Sequence, residues 1–322
     1  MATSKITIEQ YIGFEKKRET KAKVAIPYGK IVSFVILAAF CIIWMLPFII
    51  LFTGSLRGYL DNQTHPEMLF YPYSGYTLEN FKILLTGEYP DGMVHNTAEY
   101  MVGRWFLNSC ISALGGTCLY LFVASLAAYA FTFIPFKYSN VLFTVLIFSM
   151  VIPGAATTVG NQMIVFGIEL NKSLLALIIP GLGGIYGMYL IKTFFSGIPK
   201  DLIESAKMDG YSNFKIFLKI VLPLGKTVLL VQGLFGFMGG WNDLIWPQTL
   251  YGGNMELKHL WTLQVGMSYI VHNNRTVDLI GTALASGVIC IAPVFVMYLF
   301  AQRYIIEGMA SAGIKGERSE VI

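Results

Sequence analysis

The sequence predicts an all-α integral membrane protein with six transmembrane helices, and three observations carry that expectation. Hydrophobic residues make up 55% of the chain and charged residues 13%, about half the charge of an ordinary soluble domain, where roughly 25% is usual. Mean hydropathy is +0.60, and apolar runs of about 20 residues, the length a helix needs to cross hydrocarbon, recur along the chain. Between the fourth and fifth runs lies a stretch too charged to enter a bilayer, 199–223, with Lys200, Asp201, Glu204, Lys207, Asp209, Lys215 and Lys219.

Residues 1–30 form a basic tail, in which Lys5, Lys16, Lys17, Arg18, Lys21, Lys23 and Lys30 outnumber Glu9, Glu15 and Glu19. The apolar run 31–56 is far longer than a signal-peptide core of roughly 7 to 15 residues and has no small-x-small cleavage pattern. It reads as a retained first span, interrupted at Pro47. Residues 57–104 are polar and mostly acidic, crowded with Tyr, Pro and Gly, and too short to build a large core. The second span covers 105–133, and the third covers 140–166 with a break near Pro153 and Gly154. The fourth, 173–195, contains Pro180 and Gly181, and the fifth covers 224–246. A second polar loop, 247–277, leads to the sixth span, 278–304, and 305–322 close the chain. The spans and their loops thus form one transmembrane domain, 31–304, between two tails.

Six spans put both ends on one side of the membrane. Of the 23 Lys and Arg residues, 17 fall on the side shared by the termini and 199–223, and 6 on the other. The positive-inside rule therefore places the termini and the charged stretch in the cytoplasm and the acidic first loop outside.

Several function classes fall away. Cys41, Cys110, Cys118 and Cys290 lie in apolar runs without a CxxC pair, so they read as small hydrophobes. His65, His95, His259 and His272 lie in connecting stretches without ligand spacing, which gives no metal site. Gly225-Lys226-Thr227 ends like a phosphate-binding loop, but that pattern needs Gly five positions earlier, where Ile220 stands, and a preceding strand. No catalytic constellation or intrinsic ATP hydrolysis is expected, and a formal charge of +4 gives no reason to expect a nucleic-acid partner.

Within 199–223 the local chemistry is helical. Pro199 precedes a start, Asp201 and Glu204 have the spacing of a capping box, and Gly210 suits the left-handed C′ position. Ser212 is placed to cap a second helix with Phe214, Phe217, Ile220 and Val221 at helical spacing, Lys215 and Lys219 toward its exposed side, and Pro223 at the entry to the fifth span. Such a polar helix-glycine-helix needs a partner, because nothing else in the chain covers it. Glu204-Ser205-Ala206, three residues, Gly210, nine residues, Ile220, one residue and Leu222-Pro223 resemble the EAA motif, EAA-x3-G-x9-I-x-LP, of permease subunits of ATP-binding-cassette importers. Every spacing fits, with Ser205 where Ala is usual. The stretches beginning at Asn108 and Phe237, the TLENF at 77–81 and the tail 303–316 are similar to the carbohydrate-uptake subfamily, in the subunit related to the G-type maltose permease.

That resemblance implies import of a sugar or oligosaccharide across a bacterial cytoplasmic membrane by alternating access, with ATP and Mg bound by a separate ATPase and no cofactor in this chain. It implies four kinds of partner: a second homologous permease, two cytoplasmic ATPase subunits or domains, an extracellular or periplasmic solute-binding protein, and the sugar itself. The first helix of the motif becomes a coupling helix seated in an ATPase cleft. Leu202, Ile203, Ala206 and Met208 would supply apolar contact and Glu204 a charge-assisted hydrogen bond, alongside Ser205, Lys207, Asp209 and Gly210. Ile220, Leu222 and Pro223 would carry the movement into the fifth span.

Polar residues inside a membrane face a bundle interior or a cavity. Asp243 is the acid deepest in a span, and with Asn108, Trp241 and Asn242 it offers the hydrogen bonds and aromatic faces a sugar pathway uses. The same four residues equally suit bonds between helices, while Gly239-Gly240 and Gly115-Gly116 suit close helix contact. A related permease for glycerol phosphate is a second reading. An ion-driven carrier is a third, and it calls for ionisable groups in several spans where only Asp243 qualifies.

Overall fold

The structure, a computed structural model, describes residues 28–58, 61–65, 67–68, 70–87, 101–273 and 280–317. Most of the expected basic tail, Glu88, Asp91, Glu99 and His95 of the first loop, and the side chains of the stretch 303–316 lie outside the described residues. Contacts divide the chain into Met1–Ile50 and Leu51–Ile322.

The apolar runs fold as helices, the one structure that satisfies every backbone group within a segment. Helix α1 (Tyr28–Ser55) keeps Pro47 inside it. The expected interruption there does not occur, because losing one amide donor is tolerated in an apolar helix. Most of the side chains of α1 described within the first unit are exposed, Phe34 to 71% and Trp44 to 73%.

In the second unit, α2 (Asp61–Thr64) and α3 (Glu79–Thr86) follow. Arg57, 3% exposed, donates from Nη2 to the carbonyl oxygens of Asp61 and His65, and Asn80 donates to those of Ser55 and Arg57. The described part of the first loop is thus pinned rather than loose. Helix α4 (Val102–Phe133) crosses the unit without a break, with a π turn at Ile111–Gly115.

The next spans are bent. Helices α5 (Ser139–Ser149) and α6 (Gly154–Gly167) meet at 102°, because Pro153 has no N–H and drives the residue before it out of the helical region. Helices α7 (Leu175–Gly183) and α8 (Ile185–Phe195) meet at 50°, with the break at Gly184. Helix α9 (Lys200–Met208) is polar, and α10 starts at Asn213–Ile216 and continues through a π turn, Phe217–Val221, to Leu222–Leu224. Helix α11 (Lys226–Asn242) bends by 43° into α12 (Ile245–Tyr251). Then come α13 (Leu263–Asn273) and α14 (Ile280–Glu317), which carries Pro293 within it and runs on past the expected end of the sixth span. Among the described residues three helices are long and apolar enough to cross a bilayer, and three bent pairs qualify together. Among the described residues no strand forms beyond the isolated pairing of Arg57 with Tyr76.

Two apolar clusters organise this unit. One joins the start of α4 to the end of α11 and to α13, with Trp105, Trp241, Trp261 and Leu263 at its centre. The other joins the end of α4 to α8, α9 and α10 through Phe133, Phe195, Ile203 and Phe217. The first cluster corrects the expectation of a polar loop over 247–277, because the described part, 247–273, is packed against it. Trp261 stacks on Trp105 at 5.8 Å, Trp105 donates to the Lys258 carbonyl at 3.0 Å, and Leu263, Val265, Met267 and Ile270 are buried. Its polar residues mask an apolar face of helical period.

Candidate functional site

Between the two clusters, at mid-length of α4, lies a cavity of about 660 Å³. Its polar lining comes from three directions: Thr117 and Tyr120 on α4, Thr158 and Asn161 on α6, and Gln232 on α11 with Asp243 just past its end. Aromatic faces come from Tyr186, Phe235 and Trp246. On α4 and on α6 the two side chains recur three residues apart, so one helix face presents both.

Small residues make the space. Helix α11 approaches α4 at Gly236 and Gly240, where an added Cβ would stand 3.2 Å from Thr117 Cγ2 and from Ala113 Cα. Gly239, expected to serve the same contact, instead opens on the cavity, while Gly115 meets Ile178 at 3.6 Å. A Cβ on Gly187 would overlap the Tyr120 hydroxyl and crowd Gln232 Oε1. The phenol of Tyr120 therefore reaches the far wall only because that wall has no side chain.

Of the four residues read from sequence as pathway or packing, only Asp243 lines the cavity. Asn108, 5% exposed, donates from Nδ2 to the carbonyl oxygens of His259 and Trp261 at 2.9 and 2.8 Å. Trp241, 1% exposed, donates its indole N–H to the Cys290 carbonyl at 2.9 Å and stacks on Phe237. Both are bonded to neighbouring segments here, and neither they nor exposed Asn242 are in the lining. Asp243 also accepts the Trp246 N–H at 3.2 Å, which caps α12, and Trp246 donates its indole N–H to the Ala176 carbonyl. Thr117, Tyr120, Thr158, Asn161 and Gln232 lie apart from Asp243 in sequence and were not expected here; uncharged polar residues at helical spacing inside spans were the signal available.

The polar elbow is the second candidate. Pro199 takes the N-cap position of α9 and no side chain caps it, so the expected capping box between Asp201 and Glu204 is absent. Asp201 sits instead in the first turn, where its charge favours the helix dipole. The C-terminus is closed by backbone: the N–H of Tyr211 bonds the Ala206 carbonyl, that of Gly210 bonds Lys207, and Gly210 has φ +78°. This is the Schellman arrangement, which requires a left-handed residue at C′. Ser212 Oγ accepts the Lys215 N–H at 3.3 Å and caps α10. The apolar stripe there shifts: Phe214 is 55% exposed, and Ile216 is buried along with Phe217 and Val221.

Helix α9 is two-faced. Ile203 and Ala206 are buried in the second cluster, so neither is available to a partner. Leu202, at 42%, and Met208, at 87%, are exposed, as are Glu204, Ser205, Lys207, Asp209 and Gly210. The Ser205 hydroxyl donates to the Asp201 carbonyl at 2.8 Å within its own helix. Lys200, Glu204 and Lys207 line a cleft of about 430 Å³ against the turn after α4. Ile220 and Leu222 pack at the edge of the second cluster.

Residues 120–310 match the family described as binding-protein-dependent transport system inner membrane component. The chain is 33% identical over 243 residues to the maltodextrin transport system permease protein MalD of Streptococcus pneumoniae, covering 74% of this chain and 80% of that one. It is 29% identical over 216 residues to the arabinooligosaccharides transport system permease protein AraQ of Bacillus subtilis, covering 66% and 74% respectively. Among solved structures, a chain from the crystal structure of a bacterial ABC transporter involved in the import of the acidic polysaccharide alginate shares its fold. The TM-score is 0.70 at 18% identity, over 94% of this chain and 99% of that chain.

Proposed function

Because this chain belongs to the family of binding-protein-dependent transport system inner membrane components, we infer that it is the carbohydrate-carrying permease subunit of an ATP-binding-cassette importer. It is a membrane subunit without catalytic chemistry of its own, and the family implies an ATPase and a solute-binding protein as partners. The single observation that carries the sugar reading is the mid-span cavity, where hydroxyl, amide and aromatic groups converge. Hydroxyl and amide groups match the rim of a pyranose ring, and aromatic faces match its apolar side.

The finer assignments belong to the same reading. Helix α1, helix α4, the three bent pairs and the apolar part of α14 make six spans, which puts both tails and 199–223 in the cytoplasm. Helix α9 is the coupling helix: Leu202, Glu204, Ser205, Met208 and Asp209 meet the ATPase, and Ile203 with Ala206 bind the lever to its own bundle. Ile220, Leu222 and Pro223 pass the motion to α11. Two ATPase subunits holding ATP-Mg close, the levers follow, and the cavity is exposed to the outside. A second, homologous permease completes the pathway. An ion-driven carrier is disfavoured, since one acid alone among the described residues lines the cavity.

The test is reconstitution in liposomes with both permeases, the ATPase and the binding protein. Sugar uptake should require internal ATP and should stop on ATP depletion while ion gradients are held. Uptake that persists on the gradients alone overturns the assignment.

A further inference from the structure

We propose that α8 is a rigid rod that carries the movement of α9 to the cavity, and that Tyr120, whose ring is seated on the start of that rod, is the positioning residue that makes the cavity respond. The proposal deepens the transport reading and rests on it for what drives α9, while the route itself is read from packing. The link between α8 and α9 is four residues long, 196–199, and leaves no slack. Ser196, Gly197 and Ile198 donate their backbone N–H groups to the carbonyl oxygens of Lys192, Phe194 and Phe195, Pro199 accepts from the Leu202 N–H, and Ile198 is buried. Helix α8 itself has 11 residues, about 16 Å of length, with no Gly or Pro beyond Gly187 to soften it.

Each end of the rod is held by an aromatic ring lying on bare backbone. At the α9 end the ring of Phe195, fully buried, lies against Gly225, where α10 passes into α11; an added Cβ there would stand 2.5 Å from Phe195 Cε1. At the cavity end the Tyr120 ring of α4 lies on Gly184 and Gly187. A Cβ on Gly184 would stand 2.5 Å from Tyr120 Cε2, and one on Gly187 would overlap the hydroxyl. With no side chain between them to give way, a shift of the rod meets the ring directly. Gly184 is also the break at which α7 and α8 meet at 50°, which puts the pivot of the rod under the ring. On their three helices Tyr120, Gly187 and Gln232 are the lining residues nearest the second cluster, so a displaced ring alters the cavity at the end that faces α9. This route runs beside the one through Ile220, Leu222 and Pro223 and is separable from it.

The test reads the cavity without sugar. In right-side-out membrane vesicles holding the full transporter, Cys41, Cys110, Cys118 and Cys290 are replaced by Ala, and Thr158→Cys serves as the probe. Thr158 lines the cavity from α6, a different helix from that of Tyr120, and its hydroxyl bonds the Gly154 carbonyl of its own helix. With the binding protein outside, ATP inside should speed reaction with an external, impermeant methanethiosulfonate about tenfold, as when a minor open state becomes the major one. In Tyr120→Ala the ATP-free rate should be kept and the rise should shrink to under about twofold. Tyr120→Phe, which keeps the ring on Gly184, should restore most of the rise. Gly187→Ala, which displaces the ring from the opposite wall, should act as Tyr120→Ala does, and it decides the matter where Tyr120→Ala does not assemble. A full ATP response in Gly187→Ala or in Tyr120→Ala, or a Phe variant as unresponsive as the Ala one, would overturn the proposal. A parent transporter without any ATP response would instead take down the transport reading itself, so the two failures are told apart.

Discussion

Gly210 acts through its backbone alone. An added Cβ would meet nothing within 4 Å, yet φ is +78° and the two bonds that close α9 depend on it. A side chain there is strained without being crowded, by roughly 1 to 2 kcal/mol for an ordinary L-residue and more for a β-branched one. Gly210→Val should therefore insert in normal amounts but lose sugar-stimulated ATP hydrolysis, while Gly210→Asn, which tolerates the left-handed region, should keep a measurable fraction. Full stimulation in the Val variant would mean that the elbow's shape is not what couples the subunits. This position was legible in the sequence, because a Gly that directly follows a polar helical run suits the left-handed C′ position and little else. Asp243 was legible as the deepest acid. Asn108 and Trp241 were not separable from it, since a polar residue aimed at a cavity and one aimed at a neighbouring carbonyl look alike in one dimension.

At the scale of elements, the apolar runs located the spans but not their bends. Proline announced the break near Pro153, but the fourth span bends at Gly184, past Pro180, and the same residue type left α1 and α14 continuous at Pro47 and Pro293. One missing N–H is tolerated inside an apolar helix, so proline alone does not fix where a span bends. The region expected as a polar loop, of which 247–273 are described, was the larger miss. Its charges and glycines describe the outside of an element whose inside, Leu263, Met267 and Ile270, packs on Trp105 and Trp261. Trp261→Ala removes a side chain that is 1% exposed, stacked on Trp105 and bonded through Nε1 to the Tyr251 carbonyl. A loss of about 3 to 5 kcal/mol is expected, read as a lower unfolding temperature of the purified complex. A melting curve equal to wild type would return this stretch to the status of a solvated loop.

Across the second unit, the cavity and the elbow are joined by one cluster of packed side chains. Ile203 and Ala206 on α9 share that cluster with Phe195 on α8, Phe217 on α10 and Ala128 with Phe133 on α4, and α4 carries Thr117 and Tyr120 of the cavity about four turns or less away. Close-packed apolar contacts resist compression, which is what the proposed coupling from α9 to the cavity wall requires. The whole arrangement works only if the elbow faces the ATPase in the cytoplasm. A single cysteine at Lys207, an exposed position on α9, tests this in a background without the four native cysteines. In intact cells a membrane-impermeant maleimide should leave it unlabelled. In inverted vesicles stripped of the ATPase the same reagent should label it, and added ATPase should protect it. Labelling from outside intact cells would put the elbow on the wrong face, and labelling in vesicles that ATPase does not reduce would detach α9 from the motor even with the orientation right.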